Sequence, residues 1–317
     1  MVCLLATTFV VKKEDYMYSC VVRHIVTEIE NGCTVEQICR KKYDISARLL
    51  TELKRTDGLH LNGEHIRSID TVSTGDVLTI DLTENNVSEN VEPVKMELDI
   101  VYDDDFLTVV NKPRNMCMHP SIGNYLNTLA NGVVYYWQTK GENHKFHAVN
   151  RIDRDTSGLC IIAKNRFSHG ILSEQTKNKT LHKTYFAIVN GNIKDMSGTI
   201  CAPIARAEEG IIKRTVSPDG KPAITHYTVI EKNDELSFLK IQTETGRTHQ
   251  IRVHFSSIGY PLLGDSLYGC EKNDNITLKG HLLHCGELMF KHPLSKETMH
   301  FSADIPQDMK QFFKFEH

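Results

Sequence analysis

The alternation of apolar and polar residues divides the chain into short segments, most of which have the two-residue period of β-strands. Strand-like runs are LCIIAK, TYFAIVNG, ITHYTVI, SFLKIQTETG and the double run ELDIVYDDDFLTVVNKP. Helical periodicity is rarer and is found in YLNTLANGVVYYWQ, HGILSEQTKN and THQIRVHFSSIG. Because helices do not follow strands regularly, the pattern predicts an α+β fold with a mixed, mainly antiparallel sheet rather than a doubly wound parallel sheet.

Residues 40–82 have a pattern of their own. Ser46 can cap a helix that places Leu49, Leu50 and Leu53 on one side, and the strand-like runs LHLNG and VLTIDL follow it. The solvent side of this helix and the turn before it carry basic residues, namely Arg40, Lys41, Lys42, Arg48, Lys54 and Arg55. Charge alone leaves two interpretations open, an ordinary solvated amphipathic helix or a helix that contacts an anionic partner.

The order of the parts in this segment resembles the alpha-L RNA-binding module. The resemblance covers about residues 14–82 and rests on the Ser-capped helix followed by GLHLNG and TGDVLTI. It implies that the strands support a basic helix that lies against RNA phosphates. The RNA-contacting residues that it implies are Lys41, Lys42, Arg48, Lys54 and Arg55.

An acidic, polar stretch separates this module from the rest of the chain. Residues 84–97 contain several Glu and Asn residues and Pro93, as linkers do. We therefore predict two domains, a small α/β RNA-binding module over residues 1–90 and a larger domain over residues 91–317. A length of 317 residues fits about two domains.

The charge, the cysteine spacing and the lengths of the apolar runs indicate which partners and which cellular compartment to expect. The net charge of −3 means that a nucleic acid would have to be met by local basic patches. The nine cysteines form no C-x-x-C pair and no zinc-type spacing, which favours a reducing compartment. No run approaches the roughly 20 apolar residues of a membrane span, and the first residues lack the basic region of a secretory signal. We expect a cytoplasmic protein without a membrane partner.

Residues 150–165, NRIDRDTSGLCIIAKN, contain an unusual density of charge before an apolar strand. Gly158 and the pair Thr156-Ser157 allow a sharp turn that would hold Asp153 at the mouth of a pocket. A carboxylate held there can act as a nucleophile, and a nearby arginine would keep it ionised. Two other interpretations stay open at this point: a surface ion-pair cluster, or a carboxylate pair of Asp153 and Asp155 as in a glycosidase or a metal site.

Residues 181–191, LHKTYFAIVNG, are predicted to form a strand on which Tyr185, Ala187 and Val189 share one face. Tyr185 is then either a pocket residue or an ordinary core tyrosine.

Residues 243–269 predict a helix with an arginine at its positive end. Thr248 can cap a helix that turns Ile251, Phe255 and Ile258 inward and ends at Gly259 and Pro261. Arg247 would then lie beside the helix N-terminus, where an anion is favoured.

Together these segments resemble the ribosomal-large-subunit, or RluA, type of pseudouridine synthase over about residues 97–306. Its His-Arg-Leu-Asp-x-x-Thr-Ser-Gly motif corresponds to Asn150–Gly158, and its Lys-x-Tyr element to Lys183–Tyr185. Its Gly-Arg-x-His-Gln-(Leu/Ile)-Arg-x-His element corresponds to Gly246–His254, and Gly259–Asp265 matches its Gly-x-Pro tail. The chain departs from the first motif at Asn150, which replaces His, and at Ile152, which replaces Leu.

The resemblance implies a role for each matching residue. Asp153 would be the nucleophile that attacks the uracil ring or the ribose, Tyr185 would stack on the extruded uracil and help to remove its ring proton, and Arg247 would pair with Asp153. Substrate-binding residues would be Arg151, Thr156, Ser157, Gly158 and Leu283. His249, Gln250 and His254 are expected to brace the helix.

The resemblance also implies that one chain acts alone on RNA, ribosomal RNA first and transfer RNA second, with no metal and no organic cofactor. Two alternatives remain open at this stage. One is a non-catalytic RNA-binding or ribosome-assembly factor derived from a synthase, which Asn150 would favour, and the other is a hydrolase that uses Asp153 and Asp155.

Overall fold

The computed structural model describes residues 20–84, 91–208, 212–269, 278 and 280–313, and the backbone of three strands before residue 20. Those strands are β1 (Thr7–Val10), β2 (Lys13–Glu14) and β3 (Met17–Tyr18). Strands β2 and β3 pair with each other, whereas β1 joins a five-stranded antiparallel sheet in the order β1-β4-β7-β5-β6. The other strands of that sheet are β4 (Val21–Ile25), β5 (Leu59–Leu61), β6 (Glu64–His65) and β7 (Val77–Asp81).

Two helices pack on this first sheet, and the second of them was predicted. They are α1 (Val35–Lys41) and α2 (Ala47–Arg55). The Ser46 hydroxyl accepts a hydrogen bond from the Leu49 backbone N–H at 3.2 Å, which starts α2 as predicted. Leu50 and Leu53 are buried, and Leu49 packs at the edge of the same core. The helix cap and the two following strands are thus confirmed.

The core of the first sheet continues beyond the predicted linker. Phe106, Phe167 and Ile171 belong to the same buried cluster as Leu50 and Leu78. Apolar packing is therefore continuous across residue 90, and the predicted division into two domains remains a prediction.

A large sheet occupies the second part of the chain, in the order β13-β16-β17-β12-β18-β11-β9-β8, with β10 beside β11 and β19 beside β18. Its strands are β8 (Asp99–Asp103), β9 (Leu107–Lys112), β10 (His147–Ala148), β11 (Ser157–Ala163), β12 (His182–Asn190), β13 (Ser197–Cys201), β16 (Ile224–Lys232), β17 (Leu236–Thr243), β18 (Leu283–Lys291) and β19 (Thr298–Ser302). The pairing of β11 with β18 is parallel, and the other strand pairings described are antiparallel. The predicted mixed, mainly antiparallel α+β fold is confirmed.

The remaining elements lie outside the two sheets described above. They are the ribbon of β14 (Ile204–Arg206) and β15 (Arg214–Val216), the 3-10 turn at Glu28–Glu30, and the helices α3 (Leu129–Thr139), α4 (Arg166–Lys177), α5 (Gln250–Ser257) and α6 (Gln307–Lys310). In the described part of the chain, no helix has the length and apolar character needed to span a membrane. The cysteines that the structure describes are free.

Helix α5 differs from its prediction at both ends. His249, not Thr248, is the N-cap, and it has a left-handed backbone with φ 57° and no side-chain cap bond. Ile251 and Phe255 are buried as predicted, but Ile258 lies after the last helical turn and is 40 % exposed. The predicted cap and the predicted burial of Ile258 are therefore wrong.

Candidate active site

Gly158 positions the loop that carries Asp153. Its φ of +112° favours glycine, and a Cβ there would lie 2.3 Å from the carbonyl oxygen of Cys285. This close approach allows β11 to run beside β18, with Ser157 opposite His284. The backbone N–H of Thr156 donates to the Asp153 carbonyl at 3.2 Å, which closes the turn before the strand.

Asn150 fixes the other end of the same loop. Its side-chain Nδ2 donates to the Leu159 carbonyl at 3.0 Å, and its Oδ1 accepts from the Ile161 N–H at 2.8 Å. The amide thus supplies one donor and one acceptor to the backbone of β11, as a neighbouring strand would. The departure from histidine at this position leaves the loop firmly held.

A cleft of about 530 Å³ opens beside this loop. It lies between residues 148–156, strand β12 and the start of α5. The predicted site residues that line it are Arg151, Asp153, Thr156, Tyr185, Arg247 and Leu283.

Two of the predicted substrate-binding residues, Ser157 and Gly158, do not line this cleft. Ser157 lines a separate cavity, where its hydroxyl lies 3.0 Å from His284 Nδ1, because successive residues of a strand face opposite sides of the sheet. Gly158 acts through the strand pairing described above. Ser157 and Gly158 therefore shape the loop from behind, and the structure does not bring them into the cleft with the other predicted substrate-binding residues.

Asp153 is held by one of its two carboxylate oxygens. Arg252 Nη1 donates to Asp153 Oδ2 at 3.0 Å, and the Asp153 side chain keeps 28 % of its surface exposed. Among the described residues, no hydrogen bond reaches Oδ1. One oxygen is thus anchored while the other is available to a ligand.

Arg252 is itself fixed from the opposite side. Its Nε and Nη2 donate to the two carboxylate oxygens of Asp265 at 2.7 and 2.9 Å, and the Asp265 side chain is fully buried. The Arg252 guanidinium also lies 5.0 Å from the ring centre of Tyr268. Burial opposes the charge of Arg252, but Asp265 and Asp153 outweigh it and raise the pKa of the guanidinium. Arg252 therefore remains a cation beside Asp153.

The predicted pairing of Arg247 with Asp153 is wrong. Arg247 lies in the turn before α5, and its Nε donates to the Pro222 carbonyl at 3.0 Å. Both arginines line the cleft, but only Arg252 bonds Asp153. A signal for Arg252 was present in the sequence, because it lies between the apolar residues Ile251 and Val253, and a charge that is buried among such residues needs a partner.

His249 also approaches the anchored oxygen. Its Nδ1 lies 2.8 Å from the Tyr268 hydroxyl, and its Nε2 lies 3.8 Å from Asp153 Oδ2. The Tyr268 hydroxyl accepts from the Arg214 N–H at 2.8 Å, so its own proton is free to be donated to His249 Nδ1. Burial lowers the pKa of His249. A neutral His249 then carries its proton on Nε2, on the side of Asp153.

The two other residues that were expected to brace α5 do so. Gln250 Nε2 donates to the Ile224 carbonyl at 2.9 Å, and the His254 ring nitrogens lie 2.9 Å from Thr225 Oγ1 and from the Ala202 carbonyl. They tie the helix to strand β16 and to the segment before β14, and so fix the direction of Arg252.

Tyr185 forms part of the apolar side of the cleft. It is 9 % exposed and lies opposite Cys285, near Leu283. Burial, followed by the neighbouring thiols and Asp153, raises the pKa of the Tyr185 phenol well above its ordinary value. Both interpretations of Tyr185 that the sequence left open apply, since it belongs to the core and lines the cleft.

Asp155 does not join Asp153. Its carboxylate accepts a hydrogen bond from Arg154 Nε at 2.9 Å, in an ion pair in which the Arg154 side chain is 56 % exposed. This pair matches the surface-cluster interpretation for these two residues. It removes the basis for a catalytic pair of Asp153 and Asp155.

The basic residues predicted to contact RNA are all exposed on and around α1 and α2. Lys42 forms an ion pair with Glu30 at 2.9 Å, and Lys54 forms one with Glu36 at 3.6 Å. Among the described residues, no ion pair involves the remaining three, which are Lys41, Arg48 and Arg55.

The chain is similar in sequence and structure to known RNA pseudouridine synthases. Residues 106–257 match the family described as RNA pseudouridylate synthase. An uncharacterised RNA pseudouridine synthase of Bacillus subtilis, YjbO, is 43 % identical over 86 % of this chain and 95 % of its own length. Ribosomal large subunit pseudouridine synthase D of Zymomonas mobilis is 39 % identical over 75 % of this chain and 78 % of its own. The solved structure of human RNA pseudouridylate synthase domain containing 1 superposes with a TM-score of 0.56 at 27 % identity, over 68 % of this chain and 86 % of that one.

Proposed function

The chain belongs to the RNA pseudouridylate synthase family and is an isomerase, and we propose that it converts uridines in structured ribosomal RNA with Asp153 as the catalytic carboxylate. The observation that carries this proposal is the one-sided anchoring of Asp153. Arg252 fixes Oδ2 at 3.0 Å, no hydrogen bond reaches Oδ1 among the described residues, and Asp153 lines the same cleft as Tyr185.

The reaction requires one bond to break and another to form at the same ribose carbon. The bond between C1′ and the uracil N1 breaks, the base turns, C5 bonds to C1′, and the C5 proton leaves as N1 gains one. No atom is lost overall, because the detached base is rejoined to the same ribose. The site therefore needs a nucleophile that helps to break the first bond, and a surface that holds the base until the second bond forms. Asp153 provides the first, by attack on the ribose or on the ring, and Tyr185 provides the second by stacking on the uracil.

A uridine within an RNA helix reaches this cleft only after extrusion, which costs a few kcal/mol. Stacking on an aromatic ring returns about 1–3 kcal/mol per base. Arg151 is exposed at the cleft edge, where it is suited to contact the RNA strand around the extruded nucleotide.

The choice of ribosomal RNA is supported by relatives whose names refer to the large ribosomal subunit. Transfer RNA is the second candidate. Lys41, Arg48 and Arg55, which are exposed and form no ion pair within the described ranges, fit a role in binding phosphates outside the cleft. We further propose that a single chain acts in the cytoplasm and uses neither a metal nor an organic cofactor.

Release of tritium from RNA labelled at uracil C5 tests this proposal. The wild-type chain is expected to release tritium, and Asp153→Ala is expected to reduce release to background. Asp155→Ala is the matched control and is expected to retain activity, because Asp155 pairs with the exposed Arg154. Undiminished release by Asp153→Ala would contradict the assignment. Binding of cellular RNA without any release would support the non-catalytic alternative.

A further inference from the structure

Lys183 is a lysine that lines the cleft. It precedes Tyr185 by two positions on β12, so both side chains emerge on the same face of the strand, and both line the cleft. The Lys183 side chain is half-buried, and among the residues that the structure describes it has no hydrogen-bond or ion-pair partner. Two of the arginines that line the same cleft differ from Lys183, because Arg252 pairs with carboxylates and Arg247 donates to a carbonyl.

The neighbours of Lys183 do not balance its charge. Burial raises the pKa of Cys285 to about 12 and the pKa of Tyr185 well above its ordinary value, so both groups are neutral near pH 7. Burial also lowers the pKa of Lys183 itself. A partly desolvated charge without a partner is unfavourable, and a ligand that brings negative charge would relieve it.

The sheet register places Lys183 farther than Tyr185 from the start of β11, the strand that Asp153 precedes. Asp153 precedes β11, whose first residue lies opposite His284 near the start of β18. Tyr185 lies opposite Cys285, and Lys183 lies farther along the same strand, opposite Leu288. At about 3.3 Å per residue, the Lys183 backbone is roughly 6–7 Å beyond that of Tyr185.

Resting on the proposed function, we propose that the Lys183 ammonium donates a hydrogen bond to O4 of the extruded uracil and stabilises the negative charge of the detached base. With C1′ at Asp153 and the ring on Tyr185, the ring edge farthest from the ribose points toward Lys183. When the C1′–N1 bond breaks, its electron pair stays with uracil and is shared by N1, O2 and O4. A cation at O4 therefore binds the detached base more strongly than the intact nucleotide, which lowers the barrier.

The test compares Lys183→Met and Lys183→Arg with the wild-type chain, by the tritium-release rate at saturating RNA and by RNA affinity at several salt concentrations. Lys183→Met is expected to lower kcat about 100-fold, the effect of removing one donor to a developing oxyanion. Its RNA Kd and salt slope are expected to stay unchanged, because no phosphate contact is lost. Lys183→Arg keeps a cationic donor and is expected to remain within about tenfold of wild type.

The matched control is Lys240→Met, which removes a half-buried lysine on the neighbouring strand β17 whose ammonium pairs with Glu287 outside the cleft. It is expected to leave kcat unchanged. Thermal unfolding of Lys183→Met is expected at or above the wild-type temperature, since an unpaired charge is removed from a desolvated site. If Lys183→Met is destabilised, the kcat of Lys183→Arg is the deciding measurement. A kcat loss in Lys183→Arg as large as that in Lys183→Met would overturn the proposal.

Two other results would also overturn it. One is an unchanged kcat in Lys183→Met. The other is a raised Kd with a salt slope smaller by about one in Lys183→Met, which would assign Lys183 to a phosphate. The Asp153→Ala measurement separates these results from a failure of the proposed function, because an active Asp153→Ala contradicts that function whatever Lys183 does.

Discussion

Asp153 and Arg252 form the contact on which the proposed chemistry depends. An arginine can hold one carboxylate oxygen of Asp153 and both oxygens of Asp265 at once, because its guanidinium presents several donors in a fixed plane. A carboxylate anchored in this way cannot turn away from the cleft. Arg247, at the cleft edge, provides no such restraint.

Replacement of each arginine by lysine distinguishes their roles. A lysine at 252 offers a single ammonium and cannot bond Asp153 while also bridging Asp265, so Arg252→Lys is expected to lower kcat about 100-fold, the effect of a misplaced catalytic group. Arg247→Lys keeps the charge and leaves the anchor of Asp153 intact, and its kcat is expected to change by less than about tenfold. Single-turnover tritium release at saturating RNA measures both. A larger loss in Arg247→Lys than in Arg252→Lys would restore Arg247 as the functional partner of Asp153.

The sequence allowed Asp153 and Tyr185 to be predicted but not the partner of Asp153. The motif around Asp153 indicates a turn before a buried strand, and that local geometry is independent of distant residues. The choice between two arginines only five positions apart depends on the rotation of α5 about its axis. Hydrogen bonds from α5 to the distant residues Asp265 and Thr225 set that rotation, and they cannot be predicted from the spacing of residues within the helix.

At the scale of elements, strands were predicted more accurately than helix ends. The alternating runs correspond to β9, β11, β12, β16 and β17, because each strand buries one or both faces in the large sheet. Helix α3 begins at Leu129 rather than near Tyr125, since Thr128 and Asn131 form a capping box. The start of α5 at a left-handed His249 was not predicted, because the preceding Thr248 is an ordinary N-cap residue whereas the His249 side chain makes no cap hydrogen bond.

The parallel pairing of β11 with β18 depends on Gly158. Replacement of Gly158 by alanine therefore tests this pairing. Gly158→Ala would combine a φ of +112° with a Cβ that meets the Cys285 backbone at 2.3 Å, so β11 and β18 would have to separate. We expect a loss of at least about 2 kcal/mol in the free energy of unfolding, with a parallel loss of activity because the Asp153 loop moves. Urea unfolding and tritium release measure the two effects.

Gly170→Ala is the control for that experiment. Gly170 lies inside α4 with an ordinary helical backbone, and a Cβ added there would have open space for 4 Å around it. Alanine there is expected to stabilise the protein by about 0.5–1 kcal/mol and to leave activity unchanged. Equal stability of Gly158→Ala and wild type would show that the strand pairing does not require glycine.

At the scale of the whole molecule, the first sheet and the large sheet share apolar packing that the sequence did not indicate. The linker composition of residues 84–97 predicts independent domains, yet Phe106, Phe167 and Ile171 pack into the core of the first sheet. Glu52 of α2 also contacts Arg166 of α4. Removal of residues 1–90 would expose these apolar side chains, so substitution at the surface is the better test of RNA binding by this module.

The five basic residues of the module divide into two groups that provide such a test. Lys41, Arg48 and Arg55 carry exposed charge without an ion pair among the described residues, so each can neutralise an RNA phosphate and release counterions. Their combined replacement by glutamine is expected to raise Kd and to reduce the slope of log K against log salt by about 2 to 3, at roughly 0.7–0.9 per phosphate contact. The rate at saturating RNA should stay the same, because the cleft is unaltered.

The double variant Lys42→Gln, Lys54→Gln is the matched control. Its salt slope should change less, because Glu30 and Glu36 already neutralise part of the charge of these two lysines. Equal slopes for the triple variant and the wild-type chain would mean that RNA does not cross this surface, and the basic helix would then be an ordinary solvated one.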